Sequence, residues 1–292
     1  LSALESFNQE YKLEKLNRDL AEMNTSLQEM VDQRTFQLNQ KTRRLQNGLD
    51  FGQLMQKNLL PRTEDFERRF RSVEILFQPH TAVSGDFYTT KGDCETHNYI
   101  VIGDATGHGI AGAFLSTICL GYVKEHLKKV HTTPLDILTA TLQDIRTLGE
   151  FSSETLKNMI SVELTVACVD YEANEMVFAS NSKQLICLKN DCRVEPEIVE
   201  KFACCTGEPD ARENLKHRGI MARINLNEVD CVLFHTDGVR DQFLESTNRK
   251  MGLKRLINDV PKMKEQGVSE WFRKLKGNQE STDDATLLLI DL

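Results

Sequence analysis

Four short segments of this 292-residue chain place aspartate beside small residues: Ser84-Gly85-Asp86-Phe87-Tyr88, Ile102-Gly103-Asp104-Ala105-Thr106-Gly107-His108-Gly109, His235-Thr236-Asp237-Gly238 and Thr282-Asp283-Asp284-Ala285-Thr286. Asp104 and Asp237 each follow an apolar run that reads as a strand, and Asp283 and Asp284 immediately precede one. A strand ending in aspartate delivers its carboxylate at the rim of a sheet, and the neighbouring glycines allow tight turns and close backbone approach. Hard oxygen donors without His or Cys suit Mg²⁺ or Mn²⁺ better than zinc or copper. Carboxylates gathered at one place repel unless cations neutralise them. A single Asp-Gly is an ordinary turn signal. Four such segments, each where a strand meets a loop, point to a shared site for divalent cations.

The elements that must position them follow from periodicity. Val73–Phe77 and Asn98–Ile102 read as strands, as do Ser161–Val169, Met176–Ser180, Leu185–Leu188, Ile220–Ile224, Cys231–His235 and Ala285–Ile290. Gly109–Lys128 reads as a helix, Pro134 opens another to about Leu148, and helices are expected over Arg249–Asn258 and Val268–Lys276. Early helices, many short strands and late helices suggest an α+β domain with antiparallel sheet. Residues 61–292 are enough for one such domain.

Residues 1–60 have a different grain: no Pro, Cys or Trp, and no Gly before Gly48. Leu13, Leu16, Leu20, Met23, Leu27 and Met30 recur at heptad spacing, and Val31, Leu38 and Leu45 continue it displaced by four residues. Such a slip is a stutter, which unwinds a supercoil locally without breaking the helix. One narrow apolar seam predicts a parallel coiled-coil homodimer over 1–60. The helix should stop before Pro61.

Formal net charge is −8, and no basic stripe with interleaved aromatics appears, which argues against nucleic acid. The eight cysteines form no Cys-x-x-Cys pair, so they read as reduced thiols rather than a disulfide or zinc framework. No apolar run approaches the roughly 18 residues that cross a bilayer. The expected location is cytoplasmic. The chain opens on Leu1 rather than Met; if it is a fragment of something longer, a sensor or receiver domain is the expected upstream part.

Gly85-Asp86-Phe87-Tyr88, Ile102-Gly103-Asp104-x-x-Gly107-His108-Gly109, Thr236-Asp237-Gly238 and Asp283-Asp284-x-Thr286, in this order, resemble the motifs of the SpoIIE/RsbU-type serine phosphatases, the bacterial branch of the PPM (PP2C-like) family. The resemblance runs from about Pro61 to the C-terminus. It implies an α/β/β/α sandwich of two antiparallel sheets flanked by helices, here preceded by the coiled-coil helix. It implies two divalent cations, Mn²⁺ or Mg²⁺, bridged by Asp104, with the Ala105 carbonyl on one of them. Asp237 and Asp283 would hold the other, and Asp86 would act on the second metal directly or through water. Asp283 is favoured over Asp284 as ligand, with Asp284 orienting the loop. Such a pair of ions makes hydroxide available near neutral pH for in-line attack on phosphorus. His108 has two readings: general acid toward the leaving serine oxygen, or a structural role at the helix start. The sequence departs from the family pattern at Ser84 for a frequent Gly, Thr89 where Asp is common, and His235 for a frequent Tyr.

The implied substrate is a phosphoserine or phosphothreonine on a regulatory protein, a STAS-type anti-sigma-factor antagonist. Two other classes compete. One is a phosphatase-like scaffold whose function lies in its dimeric helix. The other is a metal-dependent nuclease or phosphodiesterase, against which the acidic balance weighs.

Overall fold

The computed structural model describes residues 2–92, 96–107, 109–129, 133–150, 160–182, 184–203 and 218–292. Contacts divide the chain into Leu1–Phe51 and Gly52–Leu292. Helix α1, Ser2–Leu59, begins in the first unit and ends in the second. In the first unit the apolar seam is open: Leu13, Leu20, Leu27, Val31, Leu38 and Leu45 are all exposed. The helical run up to Phe51 therefore buries no core of its own. Among the described residues no helix is long and apolar enough to cross a membrane.

The second unit continues through α2 (Thr63–Glu67), β1 (Ser72–Gln78), β2 (Asp86–Gly92), β3 (His97–Ala105), α3 (Gly109–His126) and α4 (Pro134–Glu150). Then come β4 (Val162–Asp170), β5 (Glu175–Ser180), β6 (Leu185–Lys189), β7 (Cys192–Val194), β8 (Glu197–Ala203), β9 (Arg218–Asn225) and β10 (Cys231–His235). Short helices α5 (Asp237–Asp241), α6 (Gly252–Asn258), α7 (Val260–Gln266) and α8 (Val268–Lys276) precede β11 (Ala285–Asp291). The strands form two sheets in the orders β1-β11-β10-β6-β7 and β2-β3-β4-β5-β9-β8. Every strand pairing within them is antiparallel. This is the α/β/β/α sandwich, an α+β architecture, that the motifs imply.

Burial explains the layering. In the five-stranded sheet Val73, Ile290 and Val232 lie opposite one another and join the main core with Ile100, Ile102 and Phe178 of the other sheet. The alternate residues Leu287, Leu289 and Leu233 pack with Trp271, Phe272 and Leu256 of the late helices. Strand β10 is buried at all five positions because helices cover one face and the second sheet the other. Its side chains point alternately to two different cores.

Three strands lack the pattern that predicts strands. β2 coincides with an aspartate motif and continues into Thr89-Thr90-Lys91, β7 has only three residues, and β8 is an edge strand with a register shift between Ile198 and Glu200. The helix expected from Arg249 begins at Gly252, because Lys250 is taken by a bridge to Phe243. Among the described cysteines, Cys119, Cys168, Cys187 and Cys231 are buried and Cys192 is exposed. Leu233→Ala would cut a cavity into the core beneath Trp271, the chain's one tryptophan. The expected loss is about 2–5 kcal/mol of unfolding free energy, read from denaturant titration followed by Trp271 fluorescence.

Candidate metal centre

The two sheets contribute different halves of the site. Asp86 opens β2 and pairs directly with Asp104 near the end of β3, so both carboxylates emerge on the same sheet face about 5 Å apart at Cβ. From the other sheet, Asp237 is the first residue of α5, just after β10, and Asp283 and Asp284 stand immediately before β11. Strands β10 and β11 are neighbours, with His235 opposite Leu287, which brings Asp237 and Asp283 to the same rim.

Two glycines let the halves meet. A Cβ on Gly238 would lie 1.9 Å from the Asp284 carbonyl oxygen, so the first turn of α5 packs backbone-to-backbone on the aspartate loop. A Cβ on Gly85 would lie 2.7 Å from the carbonyl oxygens of both Ala105 and Gly107, and the Ala105 N–H donates to the Gly85 carbonyl at 3.1 Å. Any side chain at either position would push the aspartates apart.

Hydrogen bonds complete the junction. The Thr236 hydroxyl donates to Asp86 Oδ2 at 2.8 Å and accepts from the Thr286 N–H at 2.9 Å, tying one sheet to the other. Asp284 accepts from the Gly85 N–H at 2.7 Å and from the His80 N–H at 2.6 Å, one oxygen to each. Its carboxylate is thus engaged by the loop that leads into Asp86. Gln56, near the end of α1, grips the peptide before that aspartate. Its Nε2 donates to the Ser84 carbonyl at 2.6 Å and its Oε1 accepts from the Ser84 N–H at 3.0 Å. The Ser116 hydroxyl of α3 also donates to the Ser84 carbonyl, at 3.0 Å. Gln56 carries a polar side chain in a helix that reads as a coiled coil, so its role depends on a partner 28 residues away.

Electrostatics are unfavourable without counter-charge. Burial, then the neighbouring Asp86, Asp237, Glu163 and Asp283, drive the Asp104 carboxyl far above the ordinary carboxylate range. Burial likewise raises Asp86 well above it, reinforced by Asp284 and Asp237. Burial and Asp283 raise Asp237, and burial raises Asp284 against the amides that it accepts from. Asp86 is fully buried. The Thr286 hydroxyl helps to hold its charge, yet neither Asp86 Oδ1 nor Thr286 Oγ1 has a hydrogen-bond partner of normal geometry. His235 points away from this rim, toward the late helices, and burial lowers it to about 4, so it stays neutral.

No group of three acidic, His or Cys side chains among the described residues stands ready in ligating geometry. Asp104 and Asp237 stand close enough for each to affect the other's charge. The donor set nevertheless fits a hard divalent cation: carboxylates from both sheets within electrostatic reach, and a buried Asp86 oxygen without a partner. Asp86, Asp104, Asp237, Asp283 and Asp284 are brought together, and the Ala105 carbonyl lies against Gly85. His108 lies outside the described residues. Gln56, Thr236 and Glu163 are additions. Thr236 stands inside one of the four aspartate segments without a role of its own there, and Glu163 shows in the sequence as a charge inside the apolar run Ser161–Val169.

A carboxyl with a raised folded-state pKa is protonated in the native state and ionised in the unfolded chain, so stability falls as pH rises above about 3.9. With chelator present, Asp104→Asn should therefore be more stable than the parent, by a margin that widens from pH 5 to pH 8. Thermal unfolding across that range measures it. A margin that stays flat with pH would contradict the electrostatics described.

Residues 95–292, more than half of the chain, match the family model for stage II sporulation protein E (SpoIIE). No curated protein matches the sequence significantly. Among solved structures, the chain is similar to the SiaA-PP2C domain of Pseudomonas aeruginosa, with a TM-score of 0.68 at 19% identity over 86% of this chain and 98% of that one. It is also similar to the RsbU and RsbW domains of Rv1364c from Mycobacterium tuberculosis, with a TM-score of 0.55 at 17% identity over 75% of this chain and 59% of that one. The PP2C phosphatase domain of SpoIIE from Bacillus subtilis, with a fragment of its regulatory domain, gives a TM-score of 0.54 at 13% identity over 76% and 63%. At such identities the likeness shows the fold. Together with the family match, it establishes that this chain belongs to the SpoIIE family and has the fold of the PP2C-type serine/threonine phosphatases.

Proposed function

We propose that the chain is a divalent-metal-dependent protein serine/threonine phosphatase acting on a phosphorylated regulatory protein. The observation that supports it most is the meeting of Asp86 and Asp104 from one sheet with Asp237 and Asp283 from the other, around a buried and unpartnered Asp86 oxygen. Asp104, the Ala105 carbonyl, Asp237 and Asp283 would hold the Mn²⁺ or Mg²⁺ ions, with Asp86 acting on them directly or through water. When bound, the ions activate water and neutralise the phosphoryl oxygens. Asp284, with both oxygens on backbone amides, fits the loop-orienting role better than that of a ligand. Thr236 fixes the Asp86 carboxylate, and Gly238 lets Asp237 approach it. The family resemblance supports a STAS-type anti-sigma-factor antagonist as substrate and a cytoplasmic setting.

The exposed heptad seam supports a parallel homodimer through residues 1–60. Gln56 supplies a route from that helix to the centre, because it holds the peptide that precedes Gly85 and Asp86.

Hydrolysis of p-nitrophenyl phosphate should require Mn²⁺ or Mg²⁺, cease with chelator, and fall in Asp237→Asn to the chelated level. Absence of turnover with every metal would move the reading to a phosphatase-like binding module. Gln56→Ala leaves the buried Ser84 N–H without its acceptor and should cost about 1–3 kcal/mol of stability. It should also change metal-dependent turnover. Destabilisation with unaltered turnover would sink the idea that α1 speaks to the site.

A further inference from the structure

The cross-strand register places one more carboxylate in the row. Asp86 pairs with Asp104, and Asp104 pairs in turn with Glu163 of β4. Directly opposite residues in antiparallel strands share a sheet face with Cβ atoms about 5 Å apart, so the three acids line up across β2, β3 and β4. The row is graded: Asp86 is fully buried, Asp104 half-buried and Glu163 exposed. It therefore runs from the closed end of the centre to its mouth.

Glu163 is out of keeping with its strand. Val162 and Leu164 on either side are buried, as are the residues from Leu164 to Val169, and Glu163 alone among them reaches solvent. Like charges directly opposite each other destabilise a sheet, and Glu163 adds to the repulsion that Asp104 already feels from Asp86 and Asp237. At the far end of the same row, Asp86 Oδ1 is buried without a hydrogen-bond partner of normal geometry, although the Thr286 hydroxyl helps to hold its charge. A cation lying along the row would meet that oxygen at the closed end and the Glu163 carboxylate at the open one.

We propose that Glu163 is an outer carboxylate of the divalent-cation centre, on its open side, supporting the cation that Asp86 and Asp104 would hold. This rests on the metal-dependent reading above and extends it to a residue that stands outside the four aspartate motifs. Glu163 acts on the cation, so it is a positioning residue.

Calorimetric titration of the whole chain with Mn²⁺, beside Glu163→Gln, Glu163→Asp and Asp237→Asn, tests it. Glu163→Gln should weaken Mn²⁺ binding about 10-fold, the scale on which outer-shell partners act, and Glu163→Asp should recover part of the loss. In chelator Glu163→Gln should give the far-UV circular dichroism spectrum of the parent. Equal Mn²⁺ affinity in the parent and Glu163→Gln overturns the role of Glu163 while leaving the metal centre standing. Failure of the parent to bind Mn²⁺ at all overturns both. Weakened binding accompanied by an altered spectrum in chelator would mark Glu163 as structural and likewise overturn the proposal.

Discussion

Carboxylates that repel one another are held at the rim of two sheets, and most of the surrounding structure makes sense as the means of holding them. Two unit charges about 5 Å apart at an effective dielectric of about 20 repel by about 3 kcal/mol. Asp86 and Asp104 stand opposite each other in register, with Asp237 and Asp283 adding to the field. No local preference of the chain would bring them together. The large apolar core between the sheets does so, since Val73, Val232 and Ile290 pack with Ile100, Ile102 and Phe178. Burial of that area offsets the electrostatic cost at one edge.

The holding is done mainly by backbone. Gly238 sits on the Asp284 carbonyl and Gly85 on those of Ala105 and Gly107, contacts that a Cβ would prevent. Asp284 uses both oxygens on amides of the loop leading to Asp86. Thr236 links that aspartate to the neighbouring sheet. These bonds hold Asp86 in register opposite Asp104 and within its field, and hard cations favour such neighbouring carboxylates. Rigid support of this kind is also what a centre needs if charge is to be stabilised without rearrangement at the moment of reaction.

The last turns of α1 belong to the same scheme. In most of the helix the apolar seam is exposed, yet Gln56 is buried and clasps the peptide of Ser84 together with Ser116 of α3.

How much of this was legible beforehand divides along physical lines. Local periodicity named β1, β3, β4, β10 and β11, because strands buried on both faces are apolar along their length and those buried on one face alternate. The proline at 61 marked where α1 ends. The four aspartate segments were visible because tight turns and carboxylate ligands need particular residue types at particular spacings, whatever surrounds them. What the sequence left open depends on register and on partners distant along the chain. β2 carries too many polar residues to announce itself, and β8 is half-exposed at an edge and irregular. Gln56 acquires its role only when folding sets Ser84 against it, and Glu163 only when the pairing of β3 with β4 puts it opposite Asp104. Residue type and short spacing determined which side chains can do chemistry. The tertiary structure decided which of them stand together, because antiparallel register and sheet-on-sheet packing join segments up to 204 residues apart.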